Sequence, residues 1–173
     1  GNPNNPTAES FRLLELIHRW PNKAWVVDEA FLEFAQNPAA LSLGAQLGSH
    51  ENVILLRSLT KSWRIPGLRL GYAVTANSRW MWKMKAMQPP WAVSGITQAW
   101  AHKFLTENQH AKVRESIAVG LKERHRFMNQ LADLEELKLF QSDANFFLME
   151  LRKGGAIAEL RFLCWSETRP LSP

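Results

Sequence analysis

A chain of 173 residues, 46% hydrophobic and 21% charged, has the composition of one ordinary globular domain with a sizeable core. Its formal charge of +5 comes from 21 basic against 16 acidic residues, spread without a like-charge run, which argues against a nucleic-acid binder that gathers its Lys and Arg on one face. The single cysteine, Cys164, rules out an internal disulfide and a thiolate zinc site, and with no signal-like start and no apolar run of membrane length a cytoplasmic setting is expected.

The opening, Asn2 to Thr7, reads as a loop with two prolines, and Thr7 is placed to cap a helix whose apolar face is Phe11, Leu14, Leu16 and Ile17, ending at Pro21-Asn22. Ala24-Trp25-Val26-Val27 reads as a short buried strand with Asp28 just at its carboxyl end, and the alternation of helix and strand predicts parallel pairing. From Phe34 to Asn52 the chain is loose, with one short helix expected around Leu41. Val53 to Leu56 is a second buried strand, Leu70 to Val74 a third, and Asn77-Ser78 starts a helix to about Met87. Ser94 is placed to cap a helix to Leu105. A long helix is predicted from about Gln109 to Leu131 on the spacing of Val113, Ile117, Leu121 and Met128. Leu137–Phe140 and Asn145–Met149 read as two further strands, and the polar, proline-bearing end reads as loosely docked. The eight tryptophans are explained first by packing rather than by base stacking.

Chemistry is expected in the stretch after the second strand, since open α/β sheets hold ligands beyond the carboxyl ends of their strands. There Ser58, Lys61 and Arg69 stand at fixed offsets around the turn-prone Pro66-Gly67. A desolvated lysine amine forms a Schiff base with an aldehyde, and a guanidinium fork and a hydroxyl hold a phosphate. Solvated surface charges are the competing reading of such a pair. Asp28 is read either as a partner for a cationic ring nitrogen or as a cap or arginine partner, about equally on its residues alone.

Ser58-Leu59-Thr60-Lys61 followed by Pro66-Gly67-Leu68-Arg69-Leu70-Gly71-Tyr72 resembles the cofactor-lysine segment of fold-type I pyridoxal-phosphate enzymes. Gly1-Asn2-Pro3-Asn4-Asn5-Pro6-Thr7 and Val26-Val27-Asp28-Glu29-Ala30-Phe31 match the same group in the right order. Within it the chain looks most like threonine-phosphate decarboxylase, partly on Pro90-Trp91-Ala92-Val93-Ser94, and next like histidinol-phosphate aminotransferase. The resemblance covers roughly residues 1 to 150 and implies an α/β fold, part of a fold-type I large domain over residues 1–107. A linking helix and the start of a small α+β domain are expected over 108–155, and an atypical tail over 156–173. Members are considerably longer, so the chain is read as a fragment opening in mid-fold.

The resemblance further implies roles. Lys61 holds pyridoxal 5'-phosphate and then protonates the substrate α-carbon. Asp28 keeps the ring nitrogen protonated, Ser58 and Arg69 anchor the phosphate, and Asn5 (or Asn4, since Asn before Pro is also a common turn residue) donates to the phenolic oxygen. Phe31 departs from the tyrosine of many relatives, so a hydroxyl on that oxygen is missing. Arg152 and Arg161 lie where substrate-binding arginines are expected but match no motif. The expected activity is decarboxylation of L-threonine O-3-phosphate to aminopropanol phosphate for cobalamin synthesis, by a homodimer acting on a phosphorylated amino acid, without nucleic acid or membrane partners. A histidinol-phosphate-type aminotransferase and a non-catalytic, aminotransferase-like regulator domain are the alternatives.

Overall fold

In the computed structural model, which describes residues 1–106 and 109–152, the chain runs α1 (Leu14–Arg19), β1 (Trp25–Asp28), α2 (Pro38–Leu41), β2 (Val53–Ser58), α3 (Leu59–Ser62) and β3 (Gly71–Val74). It continues with α4 (Ser78–Met87), α5 (Gly95–Thr106), α6 (His110–Leu131), β4 (Leu137–Leu139) and β5 (Met149–Leu151). The first three strands form one sheet in the order β1-β2-β3, and β4-β5 form a separate pair.

β1 and β2 are parallel, with Trp25 opposite Val53 and Asp28 opposite Leu56, as helix–strand alternation predicts. β3 runs the other way. It is antiparallel to β2, with Leu55 opposite Val74 and Ser58 opposite Gly71. The physical reason is the connection: α3 and a turn of 3-10 helix at Pro66–Leu68 reverse the chain at the carboxyl end of β2, without the crossover that a parallel neighbour requires. Gly71 is needed at this join, because a Cβ there would stand 2.7 Å from the Arg57 carbonyl oxygen.

Alternation along the strands gives the sheet two unlike faces. Val27, Val53 and Leu55 point to one side and pack with Ile17 of α1 and with Leu43 and Leu47 of the intervening loop, forming the core. Val26, Leu56 and, one step on, Asp28 and Ser58 lie on the other side, where Val26 is 64% exposed.

The helix ends follow local chemistry. Asn77 caps α4 by accepting from the Trp80 N–H at 3.1 Å, and the Ser94 hydroxyl accepts from the Thr97 N–H at 3.2 Å at the start of α5. Thr7 does not cap a helix: its hydroxyl donates to Asn4 Oδ1 at 3.1 Å inside the opening loop, and α1 starts only at Leu14. The predicted strand at Asn145–Met149 is also shifted, to Met149–Leu151. Residues 142–146 are held irregular because the Arg124 guanidinium takes the carbonyls of Ser142 and Ala144, and the Ser142 hydroxyl takes that of Phe146. The tail from 156, with Arg161 and Cys164, lies outside the described residues.

Candidate active site

Asp28 is the last residue of β1, one step further into the strand than expected, and its exposed carboxylate accepts from the Ala30 N–H at 2.9 Å. Its neighbour Glu29 turns the other way. The Glu29 side chain is fully buried and ion-paired to Arg57 at 2.7 Å; it also accepts from the Leu43 N–H at 3.0 Å and the Ser42 hydroxyl at 3.3 Å. Arg57 in turn donates to Ser42 Oγ at 2.8 Å. A buried carboxylate with this many partners is matched rather than stranded, and it ties the ends of β1 and β2 to the 42–44 loop. Sequence reasoning passed over Glu29 and Arg57. The signal available was strand parity, because neighbours on one strand face opposite sides and an acid beside Asp28 must find its own cation.

Ser58 ends β2, and its hydroxyl lies 2.7 Å from that of Thr60. α3 follows directly and carries Lys61, whose exposed ammonium lies 5.4 Å from the centre of the Phe31 ring. Phe31 is itself met edge-on by Phe146 at 4.9 Å, so the amine approaches an apolar wall where a tyrosine would have offered a hydroxyl. Arg69 leaves the 3-10 turn in the left-handed region, at φ 51°, and its Nη1 donates to the Pro66 carbonyl at 3.0 Å.

Because β1 and β2 run parallel and β3 enters from the end at which β2 leaves, Asp28, Ser58, Lys61 and Arg69 all fall at one end of the sheet. The opening loop reaches the same end, since the Asn2 N–H donates to the Asp28 carbonyl at 2.7 Å. Asn2 is buried and exchanges two hydrogen bonds with the Phe11 backbone, whereas Asn5 is exposed and Asn4 holds Thr7. Among the described residues no hydrogen bond or ion pair joins any two of Asn5, Asp28, Ser58, Lys61 and Arg69. Lys61 lines a cleft of about 180 Å³ together with Ser62, Arg64 and Asn145, and the other four residues do not line it. Arg152 is exposed, and its N–H donates to the Glu136 carbonyl at 2.8 Å.

A second residue missed from the sequence is Arg124, which occupies the inward stripe of α6 between Leu121 and Met128. Burial pushes its guanidinium below the ordinary arginine value, an effect that Asp143 partly offsets. A guanidinium in an apolar stripe was legible as an anomaly, but its carbonyl partners belong to a loop that reads as a strand.

These features define an α/β protein whose candidate amine, carboxylate and guanidinium stand at the same end of the sheet, the end at which such sheets bind ligands. A family model described as aminotransferase class I and II matches residues 1–160, and the chain belongs to that family. It is 34% identical over 91% of its length to CMP-5'-(3-aminopropyl)phosphonate synthase of Streptomyces rubellomurinus, of which it covers 25%. It is 32% identical over 87% of its length to histidinol-phosphate aminotransferase of Thermoanaerobacter pseudethanolicus, covering 41% of that protein. Among solved structures, histidinol-phosphate aminotransferase from Clostridium acetobutylicum and L-threonine-O-3-phosphate decarboxylase from Porphyromonas gingivalis each superpose with a TM-score of 0.81 over 96% of this chain, at 27% and 28% identity. The chain spans half the length of each of these two structures. The fold is thus part of a fold-type I pyridoxal-phosphate transferase, in a family whose enzymes depend on that cofactor.

Proposed function

We propose that Lys61, Asp28, Ser58, Arg69 and Asn5 hold pyridoxal 5'-phosphate, and that the whole protein decarboxylates a phosphorylated amino acid, L-threonine O-3-phosphate. The observation that carries the cofactor reading is the placement of Lys61 on α3, at the sheet end where Asp28 closes the parallel neighbour strand. The donor set fits the group chemically. An exposed carboxylate suits a pyridinium nitrogen, an amine against an aromatic wall suits an aldehyde, and a hydroxyl with a guanidinium suits a phosphate.

Bound, pyridoxal phosphate supplies the electron sink for a carbanion at the substrate α-carbon. Asp28 holds the proton on the ring nitrogen. Lys61 Nζ would hold the aldehyde end of the cofactor and would be the group placed to return a proton to the substrate α-carbon. Ser58 and Arg69 fix the phosphate end, and Asn5 donates to the phenolic oxygen, where Phe31 offers no hydroxyl. Residues 1–107 serve as part of the cofactor domain and 108–155 as the link to a smaller one, and the working form is a homodimer.

Decarboxylation is favoured over transamination by two observations. The Streptomyces rubellomurinus relative is named for an aminopropylphosphonate, which, like aminopropanol phosphate, is an amine with a phosphorus oxyanion and no carboxylate. One of the two structures at TM-score 0.81 is a threonine-phosphate decarboxylase. The aminotransferase reading is supported by the several histidinol-phosphate aminotransferases among the curated relatives.

Borohydride reduction in the presence of pyridoxal phosphate, followed by peptide mass mapping, should place the adduct on Lys61, and Lys61→Ala should lose it. An adduct distributed over several surface lysines would remove Lys61 from the role. Supplied with L-threonine O-3-phosphate, the whole protein should release carbon dioxide; a keto acid from histidinol phosphate or another amino donor instead would establish the aminotransferase.

A further inference from the structure

We infer that the cleft beside Lys61, walled by Ser62, Arg64, Ser116 and Asn145, is a subsite for an oxyanion, a carboxylate or a phosphate group, with Arg64 as its principal ligand. This rests on the proposed function only in taking that oxyanion to belong to the substrate.

Four observations converge on it. Two cations, Lys61 and Arg64, line the cleft, and among the described residues no acidic side chain does. Neither forms one of the ion pairs among the described residues; Arg64 donates only to the Ser116 carbonyl, at 3.4 Å. Ser62 is 4% exposed, and its Oγ is buried without a hydrogen-bond partner, an arrangement that costs stability unless a ligand completes it. Arg64 sits at φ 56°, a left-handed backbone that a non-glycine residue adopts at a cost and that is concentrated at ligand sites. The far wall is prepared as well: Arg124 holds the Ala144 carbonyl next to Asn145, and a Cβ at Gly120 would meet nothing within 4 Å, so the helix leaves that side open. Phe34 and Ile117 complete the lining with apolar surface, which suits the carbon skeleton that carries the anion. A guanidinium on the wall of a cleft of about 180 Å³, with the unpartnered Ser62 hydroxyl buried just behind it, suits an anion, and the position beside Lys61 suits an acidic group on an amine-bearing molecule.

The test is an amide nitrogen–proton spectrum of the 173-residue chain titrated at fixed ionic strength with inorganic phosphate, with acetate and, as a control, with chloride. Saturable shifts at the Ser62, Arg64 and Asn145 amides are expected with phosphate or acetate, and the tighter of the two assigns the cleft to a phosphate or a carboxylate group. Arg64→Gln should weaken binding about tenfold, the loss expected for one charge-assisted hydrogen bond. Ser62→Ala, which removes a hydroxyl without a partner in the fold, should weaken it about threefold with the spectrum otherwise unchanged, and decides the matter if Arg64→Gln does not fold. Arg79→Gln, on α4, should change nothing. Absence of saturable shifts, equal shifts with chloride, or equal affinity in the Ser62 and Arg79 variants would overturn the subsite. The borohydride experiment reads the cofactor lysine separately, so an adduct at Lys61 without an anion response removes the subsite alone. An anion response without an adduct removes the cofactor reading alone.

Discussion

Asp28 and Glu29 are adjacent acids with opposite fates, and the difference lies in strand parity. Asp28 faces out at the end of β1 with one backbone donor, free to meet a cationic ligand, while Glu29 is spent on Arg57, Ser42 and Leu43. Removing one partner of a buried pair is worse than removing both, because the survivor keeps its desolvation cost without its compensation. Arg57→Ala should therefore lower unfolding stability by about 3 kcal/mol in urea melts, and Glu29→Gln with Arg57→Met should recover part of that loss. A double variant less stable than Arg57→Ala would show that the pair holds the strands by something other than charge. Asp28, Lys61 and Arg69 were singled out from two of the ordered motifs, and they do fall at one end of the sheet. Glu29, Arg57 and Arg124 were not, because what marks them is the partner that each acquires only after folding.

At the scale of elements, caps and apolar periods were readable: Asn77 and Ser94 start their helices where expected, and α6 begins within one residue of the expected position. Reversals were not. The antiparallel β3 follows from how tightly the chain turns between Ser58 and Gly71, and the irregular 142–146 segment follows from Arg124 outcompeting a strand partner for carbonyls. Within that reversal, Arg64 and Arg69 both hold left-handed backbone, at φ 56° and 51°. Glycine takes this conformation without the Cβ penalty, so Arg64→Gly should raise unfolding stability by about 1 kcal/mol in thermal or urea melts. The same variant should lose most of its phosphate or acetate affinity, the trade expected where local strain serves a ligand. A destabilised Arg64→Gly would mean that the arginine side chain packs more than it strains.

Over the whole molecule the two faces of the main sheet differ in what covers them. The face of Val27, Val53 and Leu55 is closed by α1 and the 43–47 loop, whereas the face of Asp28 carries Val26 at 64% and Leu56 at 37% exposure. α4 has no buried residue, and Trp82, Met87, Trp91 and Ile96 are exposed at 67%, 84%, 93% and 77%. Apolar surface on this scale marks an interface when it is contiguous and a source of aggregation when it is left bare. The chain spans half the length of the solved structures it superposes on, so such surface is expected wherever those structures continue beyond the shared part. The 173-residue chain should accordingly bind 1-anilinonaphthalene-8-sulfonate with strong fluorescence while keeping a cooperative urea transition. Val26→Lys should reduce that fluorescence and shift unfolding stability by no more than about 0.5 kcal/mol, because the position makes few contacts to lose. A loss of several kcal/mol in that variant would show that Val26 is covered in solution, and that this sheet face is closed by the chain itself.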